Sequence, residues 1–194
     1  VTDPAVVART ATALLVRQVS WGRWRDERTV LNDAFARDDV AEHLAQLLIQ
    51  DVTGPLASVL RYGLRSPSLD RHLNRIAFEA AQPSVRAVAL NSLINGKAEW
   101  PAGYAWKWID KSMGLRRRVT VFDDRNLSVA FSREDLIARG IDDRSAVVRR
   151  IALTGIIRHM PGTQKGREYA SKLVGDRSPS VRERAEFILR PDRS

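Results

Sequence analysis

The sequence contains no cysteine, which removes disulfides, thiolate metal sites and cysteine nucleophiles together. Histidine is nearly as scarce. His43, His72 and His159 are the only three, each isolated in a helix-like stretch, so neither an imidazole-built zinc site nor any other metal or cofactor is expected. Long apolar runs are missing too: the best candidate, residues 41 to 50, falls well short of the roughly 20 uncharged residues a membrane span requires. The chain therefore reads as soluble and cytoplasmic, without a span. Phosphate-cradling glycine loops of the GxxxxGK(S/T) type and the GxSxG nucleophile elbow do not occur. Paired carboxylates such as Asp38-Asp39, Asp123-Asp124 and Asp142-Asp143 fall in turns or helix starts, where capping explains them.

What is present is charge and helix-forming pattern. The 194 residues are 44% hydrophobic and 28% charged, with a formal net charge of +9. The excess is uneven: residues 1 to 97 carry 12 basic and 10 acidic side chains, residues 98 to 194 carry 20 and 13. A basic half attracts polyanions, acidic proteins or anionic lipid through its long-range field. The first residue is Val and no basic-then-apolar leader precedes Asp3-Pro4, which suggests a piece of a longer parent protein.

The chain also repeats itself. The ten residues from Asp143 to Ala152 recur from Asp176 to Ala185 at an offset of 33, with six positions identical. The core of this signal returns at Pro83-Ser84-Val85-Arg86, and its opening at Arg65-Ser66-Pro67-Ser68. Its physics is that of a helix start. Ser66, Ser145 and Ser178 stand where N-cap hydroxyls accept an orphan backbone N–H, while Pro67, Pro83 and Pro179 stand where a first helical residue needs none. Behind each start, Val85/Ala89/Leu93, Val148/Ala152/Ile156 and Val181/Ala185/Leu189 recur at i, i+4, i+8 and line one helical face.

Reading outward from these starts gives helices from Asp3-Pro4 to about Gln18, then near 26 to 37, 39 to 50, 55 to 64, 68 to 80 and 84 to 94. Another runs from Pro101 to Gly114. Ser132 with Asp135 forms a capping box for a helix ending at Gly140, and the last three run near 145 to 159, 163 to 174 and 179 to 189. Between Leu115 and Phe131 the pattern breaks. Arg118 to Phe122 alternates like a short extended segment, and Asp123 to Asn126 reads as a turn. Val85 and Val148 lie 63 residues apart, close to two repeat lengths, so one repeat there is expected to be degenerate or replaced. No linker or low-complexity tract divides the chain, so residues 1 to 194 form one domain.

The D-x-S-P-x-V-R-x-x-A-x-x-x-L grammar of Asp176 to Leu189, with variants at Asp143 and Pro83, resembles the HEAT repeats of bacterial proteins. The resemblance covers the second half well and the first 60 residues only by helix pattern. It implies an all-α class: an α-solenoid of stacked HEAT-like helix pairs with an irregular insertion near 115 to 131. It further implies that Asp143, Asp176, Arg86, Arg149 and Arg182 form polar ladders between neighbouring repeats. A non-enzymatic interaction scaffold follows, with a protein partner or another domain as its ligand; the resemblance fixes no ligand itself.

One stretch stands apart. Trp100 to Lys111 holds three of the five tryptophans and is followed by Arg116, Arg117 and Arg118. Aromatics interleaved with cations stack bases and neutralise phosphates, which makes Trp106, Lys107, Trp108, Lys111 and Arg116 to Arg118 candidates for a nucleic-acid-binding groove, with Arg149 and Arg150 as phosphate contacts. The competing arrangement puts Trp106 and Ile109 in the core and Trp108 over a neighbouring repeat. Trp106 and Asp110, one helical turn apart, are also similar to the aromatic-carboxylate pair of the HEAT-type DNA glycosylases for alkylated purines. That likeness would make Asp110 the catalytic group. A second basic-aromatic cluster, Trp21-Gly22-Arg23-Trp24-Arg25, reads as a cap over the first repeat.

Overall fold

The computed structural model describes residues 3–18, 33–34, 36–52, 67–124, 127 and 131–190. Helices dominate them. In chain order they are α1 (Pro4–Gln18), α2 (Asp38–Gln50), α3 (Pro67–Glu79) and α4 (Pro83–Asn95), then strands β1 (Lys97–Asp110) and β2 (Leu115–Asp124), then α5 (Arg133–Ile141), α6 (Ala146–His159), α7 (Gln164–Ser171) and α8 (Pro179–Leu189). The helices expected near 26 to 37 and 55 to 64, the Trp21 to Arg25 cluster and Ser66 fall wholly or mostly outside the described residues.

Each helix packs against helices close to it in the chain. α1 lies on α2, α2 on α3 and α3 on α4; α4 lies on α6, α5 on α6, and α8 on both α6 and α7. The i, i+4, i+8 stripes form the seams of this packing. Val85, Ala89, Leu93, Val148, Ala152, Ile156, Val181 and Ala185 are all fully buried, and Leu189 is half-buried. Two glycines let the central helices close up. A Cβ on Gly140 would lie 2.8 Å from the Leu90 side chain, and one on Gly155 would lie 2.5 Å from that of Ile94, so α5 and α6 approach α4 only because these side chains are missing.

Pro67, Pro83 and Pro179 are first residues of helices, as their sequence setting predicts. The serine caps work differently from the expectation. Ser145 and Ser178 occupy N-cap positions with extended backbone, but their side chains accept no hydrogen bond from the first-turn N–H groups. The preceding aspartates instead hold the N-cap residues themselves: Asp143 Oδ1 accepts from Ser145 N at 2.7 Å and Asp176 Oδ1 from Ser178 N at 2.8 Å. A carboxylate is the stronger acceptor. At Ser132 the expected cap forms, with Oγ accepting from Asp135 N at 3.0 Å, and the Asp135 carboxylate returns to the Ser132 hydroxyl, which donates to Oδ2 at 2.6 Å.

The same aspartates tie successive helices together. Buried Arg86 donates from Nε and Nη2 to the two oxygens of Asp143 at 3.0 and 2.9 Å, while its Nη1 reaches the Ala80 carbonyl at 2.8 Å. Arg149 repeats the pattern on Asp176 at 2.6 and 2.8 Å, with Nη1 on the Asp143 carbonyl at 2.7 Å. Such bidentate pairs fix distance and orientation together.

The largest departure from the sequence reading lies between α4 and α5. Residues 101 to 114 are not helical, and a hairpin stands in the interval where a degenerate or replaced repeat is expected. Lys97–Asp110 and Leu115–Asp124 pair as an antiparallel hairpin, so the insertion begins at residue 97 rather than 115, and α5 follows as the partner helix of α4. The predicted extended segment at 118 to 122 is part of β2.

Candidate functional site

The hairpin packs on itself; among the described residues no helix shares a substantial contact surface with it. Its strands run in register from Gly103↔Val121 through Tyr104↔Thr120, Ala105↔Val119, Trp106↔Arg118 and Lys107↔Arg117 to Trp108↔Arg116. Side chains alternate across a strand. One face therefore carries Tyr104, Trp106 and Trp108 opposite Thr120, Arg118 and Arg116, and the other carries Ala105 and Lys107 opposite Val119 and Arg117.

On the aromatic face the guanidinium of Arg116 lies 5.2 Å from the Trp106 ring centre and 5.8 Å from that of Trp108, and Arg118 lies 4.2 Å from Tyr104. Each exposed cation–π contact contributes about 0.5–1 kcal/mol. That matters here, because an isolated two-stranded ribbon is only marginally stable in water. The rings nonetheless remain open to solvent: Tyr104, Trp106 and Trp108 are 63%, 60% and 54% exposed. Placing Trp106 and Ile109 in the core, with Trp108 covering a repeat, is thereby overturned; Ile109 is also exposed.

On the opposite face Lys107 stands directly across from Arg117, both exposed. Like charges so placed repel, and among the described residues neither has a carboxylate partner. From Gly103 to Val121 the hairpin holds five basic side chains and one acidic one, Asp110. That one is turned into its own chain. Asp110 Oδ1 accepts from Ser112 N at 2.8 Å, Ser112 Oγ at 2.6 Å and Met113 N at 3.2 Å. These bonds, the Ser112 hydroxyl first, hold its carboxyl below the ordinary carboxylate range. The turn from Lys111 to Gly114 closes on Gly114 at φ +68°, a left-handed conformation that favours glycine.

Asp110 thus ends a strand rather than following Trp106 by one helical turn, and the arrangement that suggested a catalytic carboxylate is not formed. Arg149 and Arg150 lie on α6, outside the hairpin. Arg149 is engaged by Asp176 and the Asp143 carbonyl and is not free to hold a phosphate; Arg150 is exposed. The remaining seven candidates, Trp106, Lys107, Trp108, Lys111, Arg116, Arg117 and Arg118, all sit on one hairpin.

Sequence reasoning missed the hairpin's root. Arg158 Nη1 donates to the Asn95 carbonyl at 2.7 Å, and His159 Nε2 lies 2.8 Å from the Ile94 carbonyl. The end of α6 thereby satisfies carbonyls at the end of α4, where the chain leaves for β1. No periodic signal marks these two residues. Elsewhere, a cavity of about 50 Å³ between α1 and α2, lined by Ala5, Arg9, His43, Gln46, Leu47 and Gln50, is far smaller than the roughly 300–1,000 Å³ of ligand pockets. Among the described residues no group of His, Asp and Glu is placed to hold a metal ion, and no helix is long and apolar enough to cross a membrane. No protein-family model, curated protein or solved structure matches the chain.

Proposed function

We propose that the protein is a non-enzymatic scaffold, an α-solenoid of HEAT-like helix pairs, that displays its hairpin to bind nucleic acid. The observation that carries this reading is the excess of cations along the distal hairpin: Lys107 faces Arg117 with no carboxylate partner among the described residues, Arg116 and Arg118 lie on the other face, and Asp110, the one acid between Gly103 and Val121, is bonded into the turn. A polyanion relieves that repulsion, and the exposed indoles beside the cations offer surfaces on which bases stack. The helical body supports the reading by holding the hairpin root and leaving both hairpin faces open.

A protein partner is the second reading, favoured by the exposed Trp and Arg side chains, residue types that dominate interface energetics. Salt separates the two. Nucleic-acid affinity falls linearly on logarithmic axes with salt, with a slope near −0.9 per phosphate contact on duplex DNA. Fluorescence anisotropy of labelled duplex and single-stranded oligonucleotides, titrated from low to physiological salt, measures it. Arg116→Ala/Arg117→Ala/Arg118→Ala is expected to flatten the duplex slope by about 2 to 3. Absence of binding at low salt refutes the nucleic-acid reading.

A further inference from the structure

The end of the hairpin differs chemically from its shaft. Around the Lys111 to Gly114 turn stand Ile109, Met113 and Leu115, exposed to 65%, 67% and 47%. None has a side-chain donor for a phosphate, and the Met113 thioether is the one weak acceptor among them. Behind them, cations occupy both faces of the ribbon, and Asp110 braces the turn through three hydrogen bonds. The shaft is suited to polyanion walls, whereas the tip gains free energy only by entering something apolar.

We infer that the tip is an apolar wedge that enters the base stack of duplex DNA, Ile109, Met113 and Leu115 parting a base step while Lys107 and Arg116 to Arg118 hold the flanking phosphates. This rests on the nucleic-acid reading and names its substrate class. Apolar side chains that enter a stack part neighbouring bases and bend the duplex, and a ribbon with cations on both faces can address two phosphate backbones at once. A single strand offers only one. A membrane suits the tip less well, since Lys111 and Asp110 lie at the turn itself and would be drawn toward hydrocarbon with the apolar side chains.

The test uses the full chain and a 30-base-pair duplex carrying 2-aminopurine at successive positions, with binding followed by anisotropy and unstacking by 2-aminopurine fluorescence. At saturating protein, the emission at one or two positions is expected to rise several-fold. Ile109→Ala/Met113→Ala/Leu115→Ala is expected to abolish the rise while saturation is still reached at higher protein concentration. A duplex that binds without any rise, or a rise that persists in the triple variant, overturns the wedge and leaves the nucleic-acid reading standing. No anisotropy change at low salt sinks both. Sedimentation of the wild type with phosphatidylglycerol vesicles, lost in the triple variant and unaccompanied by duplex unstacking, assigns the tip to an anionic membrane and overturns the proposal. A retained helical circular dichroism spectrum confirms that the variant is folded.

Discussion

The connection from α6 to α7 and the connection from α4 to α5 each follow a helix that opens with the recurring start signal. One spans residues 160 to 163 and the other residues 96 to 132. The short one does only local work, with Thr163 Oγ1 capping α7 through Gly166 N at 3.1 Å. The long one carries two strands and exposes two indoles. The helices on either side obey one rule, hiding Val, Ala, Leu and Ile against the next helix, and the hairpin inverts that rule. The buried core lies in the helices, and the hairpin adds no residue to it among the described ones.

That contrast can be broken at its strongest point first. Arg86→Ala leaves Asp143 buried without its partner, which is expected to cost about 3–5 kcal/mol, read as a lower urea midpoint. If the loss stays below about 1 kcal/mol, the ladder is not what joins α4 to the helices after the hairpin.

A smaller effect comes from acid. The Arg149 hydrogen bond is the main reason the Asp176 carboxyl lies below the ordinary carboxylate range, so the folded chain gives up that proton more readily than the unfolded chain. The stability it adds is complete above the ordinary range and drains away as pH falls through that range toward the lower folded value. Asp176→Asn is therefore expected to be less stable than the wild type at neutral pH, with the gap closing on acidification, as followed by denaturant melts across pH. A gap independent of pH would show that the pair acts through packing alone.

The smallest effect belongs to the hairpin. Trp106→Ala/Trp108→Ala is expected to move the unfolding of the helical body by no more than about 0.5 kcal/mol, because the cation–π contacts it removes lie within the hairpin, while it weakens the nucleic-acid binding proposed above. A large drop in the melting midpoint would mean that the rings pack on the body after all.

The repeat grammar made most of the described helical body legible from sequence. Pro83 and Pro179 start helices, and Val148 and Ala152 are buried, because local propensity and burial agree at those positions. The hairpin was misread for a definable reason: Pro101 and Gly114 sit where a helix would begin and end, and that framing outweighed the alternation of Tyr104, Trp106 and Trp108, which has the period of a strand. Ser145 and Ser178 hold the N-cap positions without capping through their side chains, and Asp143 and Asp176, two residues upstream, bond the backbone N–H of those serines. The candidate site was legible in its residue types but not in its geometry.

By itself, then, the sequence determined where the repeated helices start and which of their faces are buried, since both follow from contacts within a turn or two of chain. Only the tertiary structure decided that residues 97 to 124 pair as a ribbon and that Lys107 faces Arg117, whereas the pairing of Arg149 with Asp176 agrees with the polar ladder that the repeat resemblance implies. Cross-strand register and partners such as Arg86 and Asp143, 57 residues apart, depend on which distant segments meet. Local propensity carries no record of such meetings.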